Sequence, residues 1–379
     1  TAMHYSPGST FKVVTALAAL RENVFTEHTA VNCPGSYRLG SRAWRCHKDG
    51  GHGIQNARTA MQASCDTYFY RAADLMGIDP IAREGRELGL GAPTRITGLL
   101  EEPGIMPDSH YHHRVTPGGY TKGMALNTAI GQGDVNVTPI QLAMMYATIA
   151  NGGKLYRPQL VRRVEAPDGK VLQNFEPELV RMVDMKPEHR RVVLEGLMMV
   201  VNAPGGTAYS KRLPDILVAG KTGTAQVARL GQKRLKTEQM DYWVRDHAWF
   251  AAFAPAQDPE IAVVVLNEHG GHGGADAAPT AMAVIQKYFD LKKGEAGATV
   301  AAAPSAGVTL PVSGRALPAA IRRNRTPPVA EAQPQSAPEA ARPTAVPEAV
   351  PPAATPEAVP PAAPTLATGA PSVIPAEGG

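Results

Sequence analysis

Residues 6–20 read Ser6-Pro7-Gly8-Ser9-Thr10-Phe11-Lys12-Val13-Val14-Thr15-Ala16-Leu17-Ala18-Ala19-Leu20. Ser6-Pro7-Gly8 is a turn, and the text after it is apolar nearly all round, which predicts a buried helix and not an amphipathic surface one. Ser9 and Lys12 stand three residues apart, on one face and one turn from each other. A serine hydroxyl is a weak nucleophile until a base takes its proton. A lysine can be that base only as the neutral amine, a form favoured by desolvation or by a second cation nearby. The buried helix supplies the desolvation, and its N-terminal N–H groups point to where an acyl oxyanion would form.

Two further segments suit the same chemistry. Ser64-Cys65-Asp66 opens Ser64-Cys65-Asp66-Thr67-Tyr68-Phe69-Tyr70, within a helix expected over residues 57–77. Lys221-Thr222-Gly223-Thr224 follows the strand-like Ile216-Leu217-Val218-Ala219. There Lys221 offers a cation to a substrate carboxylate, Gly223 lets a substrate backbone lie close, and the Thr224 N–H can donate to an oxyanion. Taken singly, each match is weak: a surface Ser/Lys pair, a helix cap, a turn. All three in this order, each on a suitable element, point to an active serine.

The 379 residues are not uniform. All 21 aromatic residues precede Asp290, while half of the 34 prolines lie beyond residue 295. The tail also repeats Pro347-Glu348-Ala349-Val350-Pro351-Pro352-Ala353-Ala354 from Pro356. Such text cannot bury enough surface to offset its ordering entropy, so residues 1–292 are expected to form one domain and 293–379 a disordered, partly polyproline spacer. Helices are expected over residues 139–151, 187–201 and 279–288, and buried strands over 248–253 and 261–266. Helices first and strands late predict an α+β domain. The formal net charge of +4 forms no basic stripe, which argues against nucleic acid, and the cluster Arg322, Arg323, Arg325 is expected to be solvated. No apolar run reaches 18 residues and no signal peptide is visible; the active-serine motif begins only at Ser9, so the chain is expected to be the downstream part of a longer protein.

Tyr5-Ser6-Pro7-Gly8-Ser9-Thr10-Phe11-Lys12, Ala129-Ile130-Gly131-Gln132-Gly133 with Thr138-Pro139-Ile140-Gln141, Asn202-Ala203-Pro204-Gly205-Gly206-Thr207-Ala208, Ala219-Gly220-Lys221-Thr222-Gly223-Thr224-Ala225-Gln226 and His247-Ala248-Trp249-Phe250 together resemble the class B penicillin-binding proteins. The segment 64–70 is most similar to their elongation-type members; division-type relatives usually carry Asn where this chain has Asp66. A carboxylate there could pair with Lys12 and favour its charged form, the wrong direction for a base. The resemblance implies the penicillin-binding/serine β-lactamase-like fold, an antiparallel sheet packed with helices plus an all-helical lobe. It implies that Ser9 attacks the D-Ala-D-Ala amide of a peptidoglycan stem peptide, and that an amine of a neighbouring stem resolves the acyl-enzyme into a cross-link. Lys221, Thr222 and Thr224 would hold the terminal carboxylate, and β-lactams would acylate Ser9. The implied partners are a polytopic glycan polymerase and the elongation scaffold, and the implied location is the periplasmic face of the inner membrane, through an anchor outside this stretch. A serine β-lactamase lacks support, since no Glu-x-x-Leu-Asn segment lies between Ser64 and Lys221. A D,D-carboxypeptidase and a β-lactam sensor stay open.

The only cysteines are Cys33, Cys46 and Cys65; with His52 they give a Cys₃His set that would satisfy tetrahedral zinc. One disulfide with a buried thiol, or three unrelated thiols, are the plainer alternatives. The resemblance favours zinc, because elongation-type relatives can carry a structural site near the active serine. Zinc on Cys65 would pin the residues on either side of it, Ser64 and Asp66. His28 and His47 are possible substitute ligands. His110, His112, His113, His269 and His272 are expected to be surface residues, the first three on a loop.

Overall fold

The computed structural model describes residues 3–227 and 239–298. The proposed spacer lies, from residue 299 on, outside the described residues.

A 3₁₀ turn, Gly8–Phe11, leads into α1, Lys12–Arg21. Ser9 therefore sits in the turn and Lys12 opens the helix, with the Lys12 N–H donating to Ser9 O. Every α1 residue from Lys12 to Leu20 is buried, as the apolar text requires. Around α1 pack α3 (Asp66–Met76), α4 (Asp79–Glu87) and α8 (Pro187–Asn202). The helix expected over 57–77 is two helices, α2 (Ala57–Gln62) and α3, with Ser64 in the left-handed region at φ +54° between them. No Gly or Pro marks that break, so the apolar pattern read through it.

Four short strands lie ahead of α2: β1 (Val31–Cys33), β2 (Ser36–Leu39), β3 (Arg42–Arg45) and β4 (Gly53–Gln55). β1 pairs with β4 so that Cys33 opposes Gly53, beside His52. Further along lie α5 (Ser109–Val115), α6 (Lys122–Ala129) and α7 (Pro139–Ala150). A Thr138–Gln141 capping box and Pro139 in the first turn start α7. The expected histidine loop is in fact α5, and His112 is buried, only 3% exposed; the other histidines named with it are not. Two ribbons, β5 (Lys154–Tyr156) with β8 (Leu179–Met182), and the exposed β6 (Arg163–Glu165) with β7 (Val171–Asn174), precede α8.

The late strands form one antiparallel sheet in the order β11-β10-β9, from β9 (Ala219–Ala225), β10 (His247–Ala254) and β11 (Ile261–Asn267). Lys221-Thr222-Gly223-Thr224 does not follow a strand; it is the strand. β10 is the middle strand and is buried along Ala248–Ala254, which explains its unbroken apolar text. α8 packs on β9, while α7 and α9 (Ala278–Ala298) pack on β10 and β11. The result is the α+β architecture the element order predicts. No helix among the described residues is long and apolar enough to cross a membrane.

Candidate active site

The Ser9 turn is seated against the outer side of β9 by close backbone approaches. A Cβ on Gly8 would lie 2.5 Å from the Thr224 carbonyl oxygen, and one on Gly223 would lie 2.9 Å from Thr10 Cγ2. On its other side, the Gly8 N–H donates to Gly131 O at 2.9 Å, and Gly131, at φ +71°, has no room for a side chain against Gly8 O. The nucleophile candidate is thus held between the Ala129-Ile130-Gly131-Gln132-Gly133 segment and β9.

Lys12 reaches from the buried start of α1 to the α2–α3 break. Its Nζ donates to Ser64 O at 2.7 Å, Ser64 Oγ at 3.1 Å and Asp66 Oδ1 at 2.6 Å. An ammonium has three donors, and all three are used. The left-handed Ser64 presents its carbonyl and hydroxyl to the same nitrogen, a strained conformation at a site that uses it. The Asp66 pairing considered from sequence is real. Burial pushes its carboxyl up, but the Lys12 charge and a hydrogen bond from His47 outweigh that and hold it well below the usual carboxylate range.

Lys221 is fully buried, and its Nζ donates to Thr222 O at 3.1 Å. Burial first, and then the Lys12 charge, push it well below the ordinary lysine value, against an opposite pull from Asp66. Thr222 and Thr224 are on the same strand; Thr222 Oγ1 lies 2.6 Å from Thr207 Oγ1. Three participants were not assigned from sequence. Gln132 Nε2 donates to Thr224 O at 3.3 Å, the His47 N–H donates to Asp66 Oδ2 at 2.8 Å, and Thr207 meets Thr222. Gln132 and Thr207 lie in segments quoted above for their resemblance, so the signal was present without a role. His47 carried no signal for a backbone contact.

Cys33, Cys46, Cys65 and His52 also converge. Their ligand atoms all lie within 4.8 Å of one another, and none of the three cysteines is in a disulfide. His52 Nδ1 lies 3.6 Å from Cys33 Sγ and 3.5 Å from Cys46 Sγ. Tetrahedral zinc, with its usual Zn–S and Zn–N lengths, would set that separation at about 3.6 Å. The residues therefore fit a Cys₃His zinc site. A hydrogen bond from Cys65 holds the Cys46 thiol far below its usual range and pushes Cys65 up. His47, with Cys46 and Asp66, forms an overlapping cluster, while exposed His28 pairs with Glu27 away from it.

The family model for the penicillin binding protein transpeptidase domain matches residues 1–286. A peptidoglycan D,D-transpeptidase MrdA of Acinetobacter baumannii is 36% identical over 301 residues, covering 76% of this chain and 43% of that protein. A penicillin-binding protein (PBP2) of Helicobacter pylori, solved in complex with MreC, superposes with TM-score 0.65 at 30% identity, over 76% of this chain and 50% of that one. Penicillin-binding protein A of Mycobacterium tuberculosis, solved as a ceftriaxone acyl-enzyme complex, gives TM-score 0.63 at 31% identity, over 75% and 61%. The chain thus spans about half the length of these proteins.

Proposed function

The chain belongs to the penicillin-binding protein transpeptidase family, and from that premise we propose that it is the catalytic part of an elongation-type peptidoglycan D,D-transpeptidase with Ser9 as nucleophile. The observation that carries the proposal is the convergence of Lys12 on Ser64 and Asp66 directly behind the Ser9 turn.

In the proposed cycle, the stem peptide lies along β9 with its terminal carboxylate at Thr222 and Thr224. Lys221 acts from behind the strand, where its burial disfavours charge and an arriving carboxylate would favour it. Lys12 is the ammonium beside Asp66 in the resting chain, so it must first give up a proton. As the amine it takes the Ser9 proton while Oγ attacks the penultimate D-Ala carbonyl carbon, and the charge developing on the carbonyl oxygen faces the Ser9 and Thr224 N–H groups. Asp66 stabilises the ammonium so formed. The Ser64 hydroxyl, 3.1 Å from Lys12 Nζ, passes that proton to the leaving D-Ala nitrogen as the amide bond breaks. An amine of a second stem then attacks the ester and gives its proton back along the same route. A β-lactam would enter as an acyl donor whose leaving group stays attached.

Zinc on Cys33, Cys46, His52 and Cys65 belongs to the same proposal. When bound it would supply a structural cross-link and no chemistry of its own; the residues it would fix are Ser64 and Asp66, either side of Cys65, and His47, beside Cys46. One domain followed by a spacer is also proposed, with the boundary moved from 292/293 to the end of α9 at Ala298, because residues 293–298 continue that helix. So are a location on the periplasmic face of the inner membrane and assembly with an elongation scaffold and a polytopic glycan polymerase. The MreC complex of the Helicobacter pylori relative supports the scaffold.

The test is labelling with a fluorescent penicillin. The native chain should label and Ser9→Ala should not, at equal thermal stability. Retained labelling in Ser9→Ala refutes the nucleophile.

A further inference from the structure

The segment Asn202-Ala203-Pro204-Gly205-Gly206-Thr207-Ala208 closes α8 and has no role in the cycle above. Its backbone is tied at several points. The Gly206 N–H donates to Ala203 O and the Ala208 N–H to Val200 O, both at 3.0 Å, while Asn202 Nδ2 bridges Met198 O and Val218 O at 2.8 Å each. Gly206 presses on α8 so closely that a Cβ would lie 2.3 Å from Val200 O. From the other side, a Cβ on Gly274 would lie 2.4 Å from Thr207 O. Thr207 is therefore clamped between the end of α8 and the turn before α9, with its hydroxyl 2.6 Å from that of Thr222.

A hydroxyl has one proton to donate. If Thr222 spent its proton on Thr207, it would have none for a substrate carboxylate. If Thr207 donates instead, the Thr222 proton is directed elsewhere and its O–H is polarised, so its next hydrogen bond is the stronger. We propose that Thr207 is a positioning residue for the acyl donor: its hydroxyl donates to Thr222 Oγ1 and so aims the Thr222 O–H at the donor's terminal carboxylate. This rests on the placement of that carboxylate at Thr222 proposed above. Thr207 then governs preference for donors ending in a free carboxylate, without touching Ser9 or the scissile carbonyl.

The experiment compares two donors on the full chain, an N-acyl-D-alanyl thioglycolate and its methyl ester, with a D-amino acid as acceptor. Thiol release gives kcat and KM for the native chain, Thr207→Val and Thr207→Ser. Thr207→Val should lose about 3- to 10-fold in kcat/KM on the carboxylate donor, mostly through KM, as expected for one hydrogen bond between neutral hydroxyls. It should change within about twofold on the ester, and Thr207→Ser should restore the carboxylate preference. The ratio between donors is taken on one sample, so a partly unfolded variant does not blur it. Equal losses on both donors, no loss on either, or a well-folded Thr207→Ser that fails to rescue overturns the proposal. A native chain that does not distinguish the donors overturns the carboxylate placement at Thr222 and Thr207's role with it. A native chain that distinguishes them, beside a Thr207→Val that does so equally, overturns Thr207's role alone.

Discussion

Asp66→Asn isolates what the carboxylate contributes, because the side chain keeps its size and one acceptor. In the structure, Oδ1 accepts from Lys12 at 2.6 Å and Oδ2 from the His47 N–H at 2.8 Å. Asparagine has one acceptor and one donor group at the same positions. With its oxygen toward Lys12, its NH₂ is turned onto the His47 N–H and leaves a donor unpaired, which costs about 1–3 kcal/mol. The Lys12 bond also loses its charged acceptor, a further loss of about 1 kcal/mol. Together these give about 2–4 kcal/mol of destabilisation, or about 4–8 °C in Tm for a domain of this size. Lys12→Met alone should cost about 3–5 kcal/mol, because it strands a buried carboxylate. The double variant should then cost at least about 1 kcal/mol less than the sum of the two. Thermal and denaturant unfolding at neutral pH measure all four corners of this cycle. A Tm for Asp66→Asn within about 1 °C of the native chain, or an additive cycle, refutes the picture of Asp66 as the shared acceptor of Lys12 and His47.

Two further outcomes are expected. Exhaustive chelation should lower thermal stability and the acylation rate together, by more than about 5 °C and about tenfold, with zinc restoring both. Purified protein without zinc by metal analysis, together with a Cys65→Ser variant that acylates normally, sinks that expectation. His247 Nδ1 accepts the His269 N–H at 3.0 Å, which requires an unprotonated nitrogen. Burial and then His269 lower its pKa, so its folded value lies below the unfolded value of about 6.5. That contribution is complete above the unfolded value and is lost as pH falls through the folded one. Tm should therefore drop between about pH 7 and pH 5, and His247→Asn, which keeps an acceptor, should flatten that slope. Unchanged slopes exclude His247 as the source.

Much of this site was legible because its signals are local. Ser9 lies in a 3₁₀ turn and Lys12 opens the α-helix after it, so the expected single helix is two elements, joined where the Lys12 N–H donates to Ser9 O. The unbroken apolar text of residues 248–253 marked a strand covered on both faces, and it is the middle of the sheet. What was missed depends on backbone conformation or on pairing between distant segments. Ser64 breaks a helix at φ +54° without the glycine that would announce it, held there by bonds to Lys12, 52 residues away. The four short strands over residues 31–55 carry too few residues for a period-two pattern, yet the pairing of β1 with β4 is what brings Cys33 to His52.

The cysteine set and the active-serine set were separate observations in the sequence, and the fold makes them neighbours through two peptide units. Cys65 lies between Ser64 and Asp66, the two residues that Lys12 binds. Cys46 precedes His47, whose N–H is the other donor to Asp66. A backbone displacement at either cysteine therefore moves a hydrogen-bonding partner of Lys12 or of its counter-ion. A brace placed there needs no catalytic chemistry to affect the rate; it acts by fixing the positions of Ser64 and Asp66 around one buried ammonium. This coupling also separates the two kinds of failure. Loss of zinc should disturb Asp66 from both sides at once, whereas Asp66→Asn removes one acceptor and leaves both peptide units where they are.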